Sequence, residues 1–505
     1  MPPGKQLPGE LLQIMMEMPR MSASDAPKTA NTFTNDALGN DDATALAERI
    51  RRRDVSISEV TQAAIARLHK AEPLVHGVVA ERYQQMLETA AKLDSKSDLA
   101  EAPFFTGVPT FIKDNTNVAG MPTRQGSAAV PAGHLVKHTS PFAEQMLAQG
   151  YLCMGKTTMP EFGFSASTEP VHDAPTRNPW NLAYSSGASS GGAAALVASG
   201  AVPIAHANDG GGSIRIPAAV CGLIGLKPSR GRVIENDASK SLPIDILSDG
   251  VVTRTVRDTA NFIYEAERYY RNPKLPSIGK VEGPSGKPMR IGLVIDSING
   301  HKTDDTTRRV VEATARKLEA QGHHLEPVDT PANSSFPDDF AMYWGLLAFG
   351  MKLNGRKITH PGFDKRQVDG LTQGLDRMFK RGFLKVPAVL WRLRRARFEF
   401  AEAMSAYDAV LTPVLGHTTP KLGHLSSKVP FDTLFERLTQ YANFTPLANV
   451  TGTPAISIPM AMTPENLPVS VQLMSKFGDE RTLLELAFAL ESEFSPWATA
   501  EYSHA

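Results

Sequence analysis

The chain has 505 residues, of which 42% are hydrophobic and 21% are charged, a composition typical of a globular protein with a large core. Lysine plus arginine and aspartate plus glutamate each number 53, so the formal net charge is zero and gives no indication of binding to nucleic acid or an anionic membrane. Two cysteines in apolar surroundings, Cys153 and Cys221, indicate a reducing compartment rather than a disulfide framework. Because no targeting segment and no bilayer-spanning apolar run are evident, we expect a cytoplasmic protein.

The first third of the chain predicts a tail, a helical region and then alternating strands and helices. Residues 1–40 are rich in Pro, Ser, Asn, Asp and Thr, as in a flexible N-terminal tail. Apolar residues at helical spacing predict helices over residues 42–95. The later elements, in order, are a strand over Gly107–Phe111 that leads to Lys113, a helix over 140–150, a strand over 151–155, and loops over 161–167 and 178–182.

A glycine-rich region over residues 184–231 is the most informative part of the sequence. Seven glycines lie between Ser185 and Ser213, and they flank the helix-forming run Ala193–Ala198. Linkers are also rich in glycine and serine, but the apolar residues that follow argue against a solvated linker. Successive small residues before Ser213 can direct backbone N–H groups to one point, which creates an oxyanion-binding nest beside a nucleophilic hydroxyl.

The remainder of the chain predicts further strands and helices. A strand–helix–strand unit over residues 291–328 indicates a parallel strand pair. We expect the helical residues 335–400 to cover the active site as a cap. The other elements are a turn into a helix over 250–263, a linker over 271–288, a buried strand over 409–414, paired strands over 449–459 and 469–473, and a closing helix over 481–494.

These motifs resemble those of the amidase signature family. The resemblance rests on Ser189–Gly192, on Asp209–Ala219 after a helix, and on Gly225–Pro228. It implies an α/β amidase signature fold, with a large mixed central β-sheet covered by helices on both faces. A single amidase domain over residues 41–500, with a helical cap-like insertion near 335–400, is then expected.

Family members hydrolyse amides with a Ser–cis-Ser–Lys triad. We expect no cofactor, and no metal because the sequence has no His-Glu-x-x-His or Cys-x-x-Cys motif. By motif, the resemblance implies Ser213 as nucleophile, Ser189 as the relaying serine and Lys113 as base. The other implied groups are the oxyanion-hole N–H groups of Gly210, Gly211, Gly212 and Ser213 and the supporting residues Ser190, Asp209 and Arg215. The aromatic residues Phe162, Phe164 and Tyr184 are expected to line a substrate pocket for an apolar or aromatic group.

The proposed lysine base must be uncharged to act. A free lysine has a pKa near ~10.4, and burial lowers it because a low-dielectric environment disfavours the charged form. Lys113 follows an apolar predicted strand, so desolvation is plausible. Alternation along that strand directs Asp114 away from the ammonium group.

Several functions remain open. The stretches 176–181, 206–209 and 227–232 are most similar to bacterial amidases related to 6-aminohexanoate cyclic dimer hydrolase, and relatives also cleave aryl acylamides, carbamates and esters. The alternatives are a glutamine-dependent amidotransferase subunit, an esterase of the α/β-hydrolase type using Ser189 with His206 or His417, and a non-catalytic binding module. As partners we expect a small amide substrate, no nucleic acid and no membrane, with a homodimer as an open alternative.

Overall fold

The computed structural model describes residues 28–95, 99 and 101–498. The strands are β1 (Val78–Glu81), β2 (Pro109–Lys113), β3 (Leu152–Thr157), β4 (Arg177–Asn178), β5 (Asn181–Ser185), β6 (Ile204–Asp209), β7 (Ile224–Lys227), β8 (Ser248–Thr253), β9 (Arg290–Leu293), β10 (His324–Pro327), β11 (Ala409–Pro413), β12 (Ala455–Met462) and β13 (Pro468–Ser475). The helices are α1 (Ala43–Arg52), α2 (Ile57–Val75), α3 (Tyr83–Asp94), α4 (Pro141–Leu147), α5 (Gly191–Ala198), α6 (Arg215–Val220), α7 (Val256–Tyr269), α8 (Asp305–Ala320), α9 (Phe336–Ile358), α10 (Gly370–Gly382), α11 (Val386–Ala403), α12 (Phe431–Tyr441), α13 (Pro446–Thr451) and α14 (Glu480–Glu491).

Eight strands form one mixed sheet in the order β10-β9-β11-β13-β12-β7-β8-β6. The first three strands are parallel and all later pairs are antiparallel. Every residue of β7, β8, β11 and β13 is buried. Because successive side chains point to opposite faces of a sheet, both faces of these strands are covered. The predicted fold class, and the parallel pairing of the strands that flank α8, are therefore confirmed.

A second sheet, of order β1-β3-β2, adjoins the large sheet through β2. The Thr110 hydroxyl of β2 donates to the Ile204 carbonyl of β6 over 3.0 Å. The Lys113 N–H donates to His206 Nδ1 over 3.2 Å. These side-chain contacts place the last residue of β2 beside the end of β6, where the glycine-rich loop begins.

The N-terminal boundary of the folded chain lies before residue 40. Residues 1–27 of the predicted tail lie outside the described residues. The Ala30 N–H donates to the Pro179 carbonyl over 2.9 Å, and the Arg67 guanidinium bonds Asp36 at 2.6 Å. Leu38 is only 3% exposed. Residues 28–40 of the expected tail therefore contact the domain through backbone groups and through apolar and acidic side chains.

Two local predictions were wrong. Residues 177–185 form the paired strands β4 and β5 rather than a loop, and residues 248–253 form strand β8 rather than a turn. Polar residues concealed β4 and β5, which pair with each other in a hairpin. Polar and glycine residues also concealed β8, whose partners β6 and β7 lie earlier in the chain. No helix among the described residues combines the length and the apolar composition needed to cross a membrane.

Residues 336–403 form the helices α9, α10 and α11, which we call the cap. Its buried apolar residues include Phe336 and Tyr343 of α9 and Leu393 and Phe400 of α11, in one cluster with Val410 of strand β11. The cap is therefore attached to the edge of the domain that carries the parallel strands.

Candidate active site

Lys113, at the end of β2, is fully buried and contacts two polar side chains. Its Nζ lies 2.7 Å from Ser189 Oγ and 2.7 Å from Asn208 Oδ1. Burial lowers the pKa of Lys113 to about 7, although the carboxylates of Asp209 and Asp249 act in the opposite direction. At neutral pH a substantial fraction of this amine is therefore uncharged and can accept a proton.

Asp114 faces away from Lys113, as the alternation of a strand predicts. Its carboxylate accepts hydrogen bonds from the N–H groups of Arg124 and Gly126, at 3.2 and 3.3 Å. It lies 3.7 Å from the ammonium group of Lys156. The adjacent carboxylate is thus engaged elsewhere and does not hold the Lys113 amine in its charged form.

Ser189 precedes Ser190, the N-cap of helix α5, and the peptide bond between Ala188 and Ser189 is cis. This is the isomer that the resemblance implied. The neighbouring Ser190 is buried, and its hydroxyl donates to the Asn208 carbonyl over 3.3 Å. Ser190 therefore holds the start of α5 against the end of β6.

Ser213 is 8% exposed and lines the same cavity as Ser189. The loop that carries it turns around the carboxylate of Asp209. Asp209 accepts hydrogen bonds from the N–H groups of Gly212 and Ile214, at 2.6 and 3.1 Å, and both of its oxygens are bonded by Arg215 at 2.9 Å. Asp209 therefore contacts the loop that carries Ser213, and Arg215 contacts Asp209.

Arg215 links the loop to the C-terminal part of the chain. Its guanidinium donates to Asn449 Oδ1 and Gln472 Oε1, both at 2.7 Å. Burial alone would raise the pKa of Asp209, but the charge and hydrogen bonds of Arg215 outweigh it and hold that pKa well below its usual range. A fully ionised carboxylate is therefore fixed beneath the serine loop.

The expected set of oxyanion-hole donors needs one correction. The N–H of Gly212 donates to Asp209 and is not free to bind a substrate oxygen. Within the described residues, the N–H groups of Gly210, Gly211 and Ser213 have no protein acceptor. Three of the four expected donors remain, because the Asp209 carboxylate takes the fourth.

A cavity of about 190 Å³ is bordered by Ser189, Ser213 and the glycines Gly210 and Gly211. No charged side chain of the described residues lines it. Aromatic and aliphatic side chains form most of its wall, with a few asparagines. Representative lining residues are Asn115, Phe162, Phe164, Ile216, Ile246, Phe336, Phe340, Tyr343, Trp344, Leu347, Asn299 and Asn443.

The predicted pocket residues are only partly placed there. Phe162 and Phe164 line the cavity, but Tyr184 does not; its ring lies 6.0 Å from Lys421 Nζ, outside the site. Trp180 is buried in the domain, where its Nε1–H donates to the Cys221 carbonyl. Both belong to the β4–β5 hairpin, part of which was predicted to be a loop over residues 178–182.

Neither candidate histidine is positioned as a base for Ser189. His206 Nδ1 accepts from the Lys113 N–H, and its Nε2 lies 3.0 Å from Asp249. Burial lowers the pKa of His206, and so it is neutral at pH 7. His417 Nδ1 contacts the Thr418 carbonyl. Both rings are occupied elsewhere, which removes the basis for the α/β-hydrolase interpretation.

Sequence reasoning missed two residues at the site. Asn208 contacts Lys113 Nζ, and Glu161 connects the Phe162 loop to the cap through Thr372. His206 and Asn208 are two residues apart on a strand and so lie on the same face, which could have indicated the contact of Asn208 with Lys113. Nothing in the local sequence indicates the contact of Glu161 with Thr372, because the two residues lie 211 positions apart.

The amidase family model matches residues 59–484 of this chain. The chain belongs to the amidase family. It is 46% identical to the protein named "Putative amidase AmiC" of Mycobacterium leprae over 93% of this chain and 98% of that protein. It is 30% identical to the 6-aminohexanoate-cyclic-dimer hydrolase of Paenarthrobacter ureafaciens over 90% of this chain and 95% of that enzyme.

Solved structures of two amidase signature enzymes have a similar fold. A structure of 6-aminohexanoate cyclic dimer hydrolase with its substrate superimposes with a TM-score of 0.80 and 27% identity, covering 91% of this chain and 98% of that one. A bacterial aryl acylamidase of the amidase signature family gives a TM-score of 0.77 and 25% identity, covering 92% and 97%. This amidase-family chain is therefore a hydrolase of the C–N bonds of amides.

Proposed function

We propose that this chain hydrolyses uncharged carboxamides with an apolar or aromatic substituent, through an acyl-enzyme on Ser213. The observation that carries the proposal is the fully buried Lys113 amine, with a pKa lowered to about 7, at 2.7 Å from Ser189 Oγ. A serine hydroxyl is a weak nucleophile until a base takes its proton. Lys113 supplies that base, and the Ser189 hydroxyl connects it to Ser213.

In the acylation step, Ser213 Oγ bonds to the substrate carbonyl carbon as its proton passes to Ser189. Ser189 in turn gives its own proton to Lys113 Nζ. The carbonyl oxygen becomes an oxyanion, which the N–H groups of Gly210, Gly211 and Ser213 stabilise. One such donor contributes about 2.7–4 kcal/mol to transition-state stabilisation.

The protonated Lys113 then returns its proton through Ser189 to the leaving nitrogen, and the C–N bond breaks. Water attacks the resulting ester, loses a proton along the same path, and releases the acid and free Ser213. Asn208 Oδ1, at 2.7 Å from Nζ, accepts one N–H of the neutral amine. The Lys113 lone pair is thereby oriented toward Ser189.

The cavity lining supports an uncharged substrate. Burying a charged group without a partner is strongly unfavourable, and none of the described lining residues is charged. Glutamine carries an ammonium and a carboxylate, which this wall does not match. For this reason we favour a self-contained amidase over a glutamine-dependent amidotransferase subunit.

Covalent labelling tests the mechanism. A fluorophosphonate probe should add one adduct to the intact chain, located by peptide mass spectrometry on Ser213. Ser213→Ala should abolish both the adduct and the turnover. Ser186→Ala is the matched control, since the Ser186 hydroxyl donates to the Thr176 carbonyl and should leave labelling unchanged. Labelling that persists in Ser213→Ala would refute the assignment.

The substrate class needs a separate assay. The purified chain should be tested against an anilide, a carbamate, a nylon-type amide oligomer, an ester and glutamine. We expect the highest kcat/KM with an aromatic or long aliphatic amide and no release of ammonia from glutamine. Turnover of glutamine alone would instead support the amidotransferase alternative.

A further inference from the structure

The cap carries most of the exposed large apolar side chains of the molecule. Eleven such side chains are strongly exposed among the described residues, and six of them belong to the cap. Leu384 is 82% exposed, Phe398 61%, Trp391 59% and Phe383 56%. Large exposed apolar side chains concentrated in one segment of the chain are a feature of interaction surfaces.

These side chains occupy one side of helix α11 and the short 3₁₀ turn before it. Val389, Leu393 and Phe400 of α11 are buried against the domain. Trp391 and Phe398 are seven residues apart, which is two helical turns, and so they lie on the same face. That face is directed away from the buried residues. We call residues 377–398 the basic apolar face.

The same segment is strongly basic although the whole chain is neutral. Residues 377–398 contain eight lysines and arginines and no aspartate or glutamate. Lys380, Arg392 and Arg395 are paired with carboxylates. Within the described part of the chain, the other five have no carboxylate within salt-bridge distance; they are Arg377, Arg381, Lys385, Arg394 and Arg397.

We propose that the basic apolar face docks on the surface of an anionic lipid bilayer. Amphipathic helices that lie in a membrane interface combine lysine and arginine with Trp, Phe and Leu. The apolar groups enter the boundary between headgroups and acyl chains, and the cations attract anionic phosphates. Leu384 and Trp391 would supply the apolar contacts, and Arg381 and Lys385 the charge.

Charge and side-chain chemistry favour lipid over two other occupants. A second copy of the chain would bring the same unpaired cations against each other in a symmetric interface, and like charges repel. Single-stranded nucleic acid binds through aromatic platforms on which bases stack. The most exposed apolar residue here is Leu384, which has no ring, and acyl chains suit it better.

Vesicle flotation of the full chain tests the proposal. We expect binding to vesicles of phosphatidylcholine mixed with phosphatidylglycerol and not to phosphatidylcholine alone. Raising the salt concentration from about 0.1 to about 0.5 M should weaken binding, since it shortens the screening length. Leu384→Ser with Trp391→Ser, and separately Arg381→Glu with Lys385→Glu, should each weaken binding at least tenfold.

Matched changes on other surfaces serve as controls. Phe477→Ser removes an apolar side chain that is 51% exposed outside the cap, and Arg271→Glu with Lys274→Glu reverses two exposed charges. Both controls should bind vesicles as the unaltered chain does. Thermal unfolding and turnover of a soluble amide should be unchanged in all variants, because none of these residues lines the cavity.

Three results would overturn the proposal. The first is equal binding to neutral and anionic vesicles, or none to either. The second is a concentration-dependent dimer that the Trp391 variant disrupts, which would assign the face to a second copy. The third is salt-sensitive binding of an oligonucleotide at protein concentrations where anionic vesicles are not bound.

Discussion

The buried carboxylate of Glu161 accepts a hydrogen bond from the Thr372 hydroxyl of the cap over 2.7 Å. The other carboxylate oxygen accepts from the Ser127 hydroxyl, also at 2.7 Å. Glu161 directly precedes Phe162 and Gly163, which border Ser189. The pair therefore connects the wall of the candidate active site to helix α10.

Glu161→Gln should lower kcat/KM for an aromatic amide by about tenfold, chiefly through KM. The backbone N–H of Asp369 also donates to Glu161, and so the site offers three donors to two carboxylate oxygens. A glutamine side chain has one oxygen acceptor and one NH₂ donor group. At least one of the three donors would then face the NH₂ group and lose its hydrogen bond. Steady-state kinetics with a soluble anilide measures the effect.

Thr372→Val serves as the partner in a double-mutant cycle. If the two residues act together, the effects of the single changes on KM should not add in the double variant. Burial, with the nearby Asp369 charge, raises the pKa of Glu161 to about 7, so the cycle should be run at one fixed pH. Additive effects would show that the connection does not shape the site.

The sequence predicted the candidate site better than it predicted the surroundings. Strand alternation correctly separated Lys113 from Asp114, because that rule depends only on adjacent residues. The hydrogen bond from the Gly212 N–H to the Asp209 carboxylate could not be predicted, because it depends on the conformation of a side chain three residues earlier. Tyr184 was misplaced because the pairing of β4 with β5 directs it outside the cavity.

For the cap as well, local features were predictable and contacts between distant residues were not. The sequence predicted that residues 335–400 are helical but not where the three helices of the cap begin and end. Which cap residues face the cavity depends on contacts with β11 and with the Ser213 loop. Phe340, for example, lies against Gly211, 129 positions earlier (340 − 211), and no local pattern encodes that distance.

The pH dependence of kcat/KM should show an acidic limb with a midpoint near 7. The pKa of Lys113 is lowered to about 7 and its neutral form is the active base, so the rate rises as pH increases through that value and then levels off. Lys113→Ala should lose at least about 10²-fold in kcat, and its residual activity should lack the limb.

A second buried lysine provides the control for this profile. Burial lowers the pKa of Lys227 to about 7 as well, but its Nζ donates to the Pro228 carbonyl rather than to either serine. Lys227→Met should retain the acidic limb. If the limb disappears in Lys227→Met and persists in Lys113→Ala, the base has been misassigned.

Gly163→Ala should reduce kcat by about 10²-fold without unfolding the chain. Gly163 has a φ of +75°, and a Cβ there would lie 3.0 Å from Ser189 Oγ. The relaying hydroxyl would have to move, and displacements of about 1 Å in an active site can cost this much. Kinetics and thermal unfolding of the same preparation separate the two effects.

Gly120→Ala isolates the backbone contribution. Gly120 has a similar φ of +80°, but a Cβ at this position would have no neighbouring atom within 4 Å. The control should therefore lose about 1 kcal/mol of stability from the left-handed backbone and keep its turnover. Equal losses of turnover in both variants would attribute the effect to strain rather than to contact with Ser189.

Arg215→Met should lower the free energy of unfolding by about 3–5 kcal/mol, since it leaves the buried Asp209 carboxylate without its ionic partner. Urea unfolding followed by circular dichroism measures the change. Lys240→Met breaks an exposed pair with Asp237 and should cost less than about 1 kcal/mol. A loss in Arg215→Met as small as in the control would mean that the Asp209 network does not hold the loop.

Phe340→Ala should raise KM for an aromatic anilide by up to about tenfold and leave a short aliphatic amide nearly unaffected. Phe340 lines the cavity from the cap, and its ring lies 3.4 Å from the position that a Cβ on Gly211 would take. An aromatic contact contributes about 0.5–1.5 kcal/mol beyond area burial, which corresponds to this range of KM. Paired kinetics with the two amides measures the selectivity.

Phe349→Ala is the matched control on the same helix. The Phe349 ring packs against Phe379 at a centroid distance of 4.8 Å and does not line the cavity. Its removal should change the two KM values by the same small factor. A selective rise in the anilide KM for Phe349→Ala, or an equal rise for both amides in Phe340→Ala, would contradict the role given to Phe340. A selective effect at Phe340 alone would assign the aromatic subsite to the cap-facing wall, beside the proposed oxyanion donors.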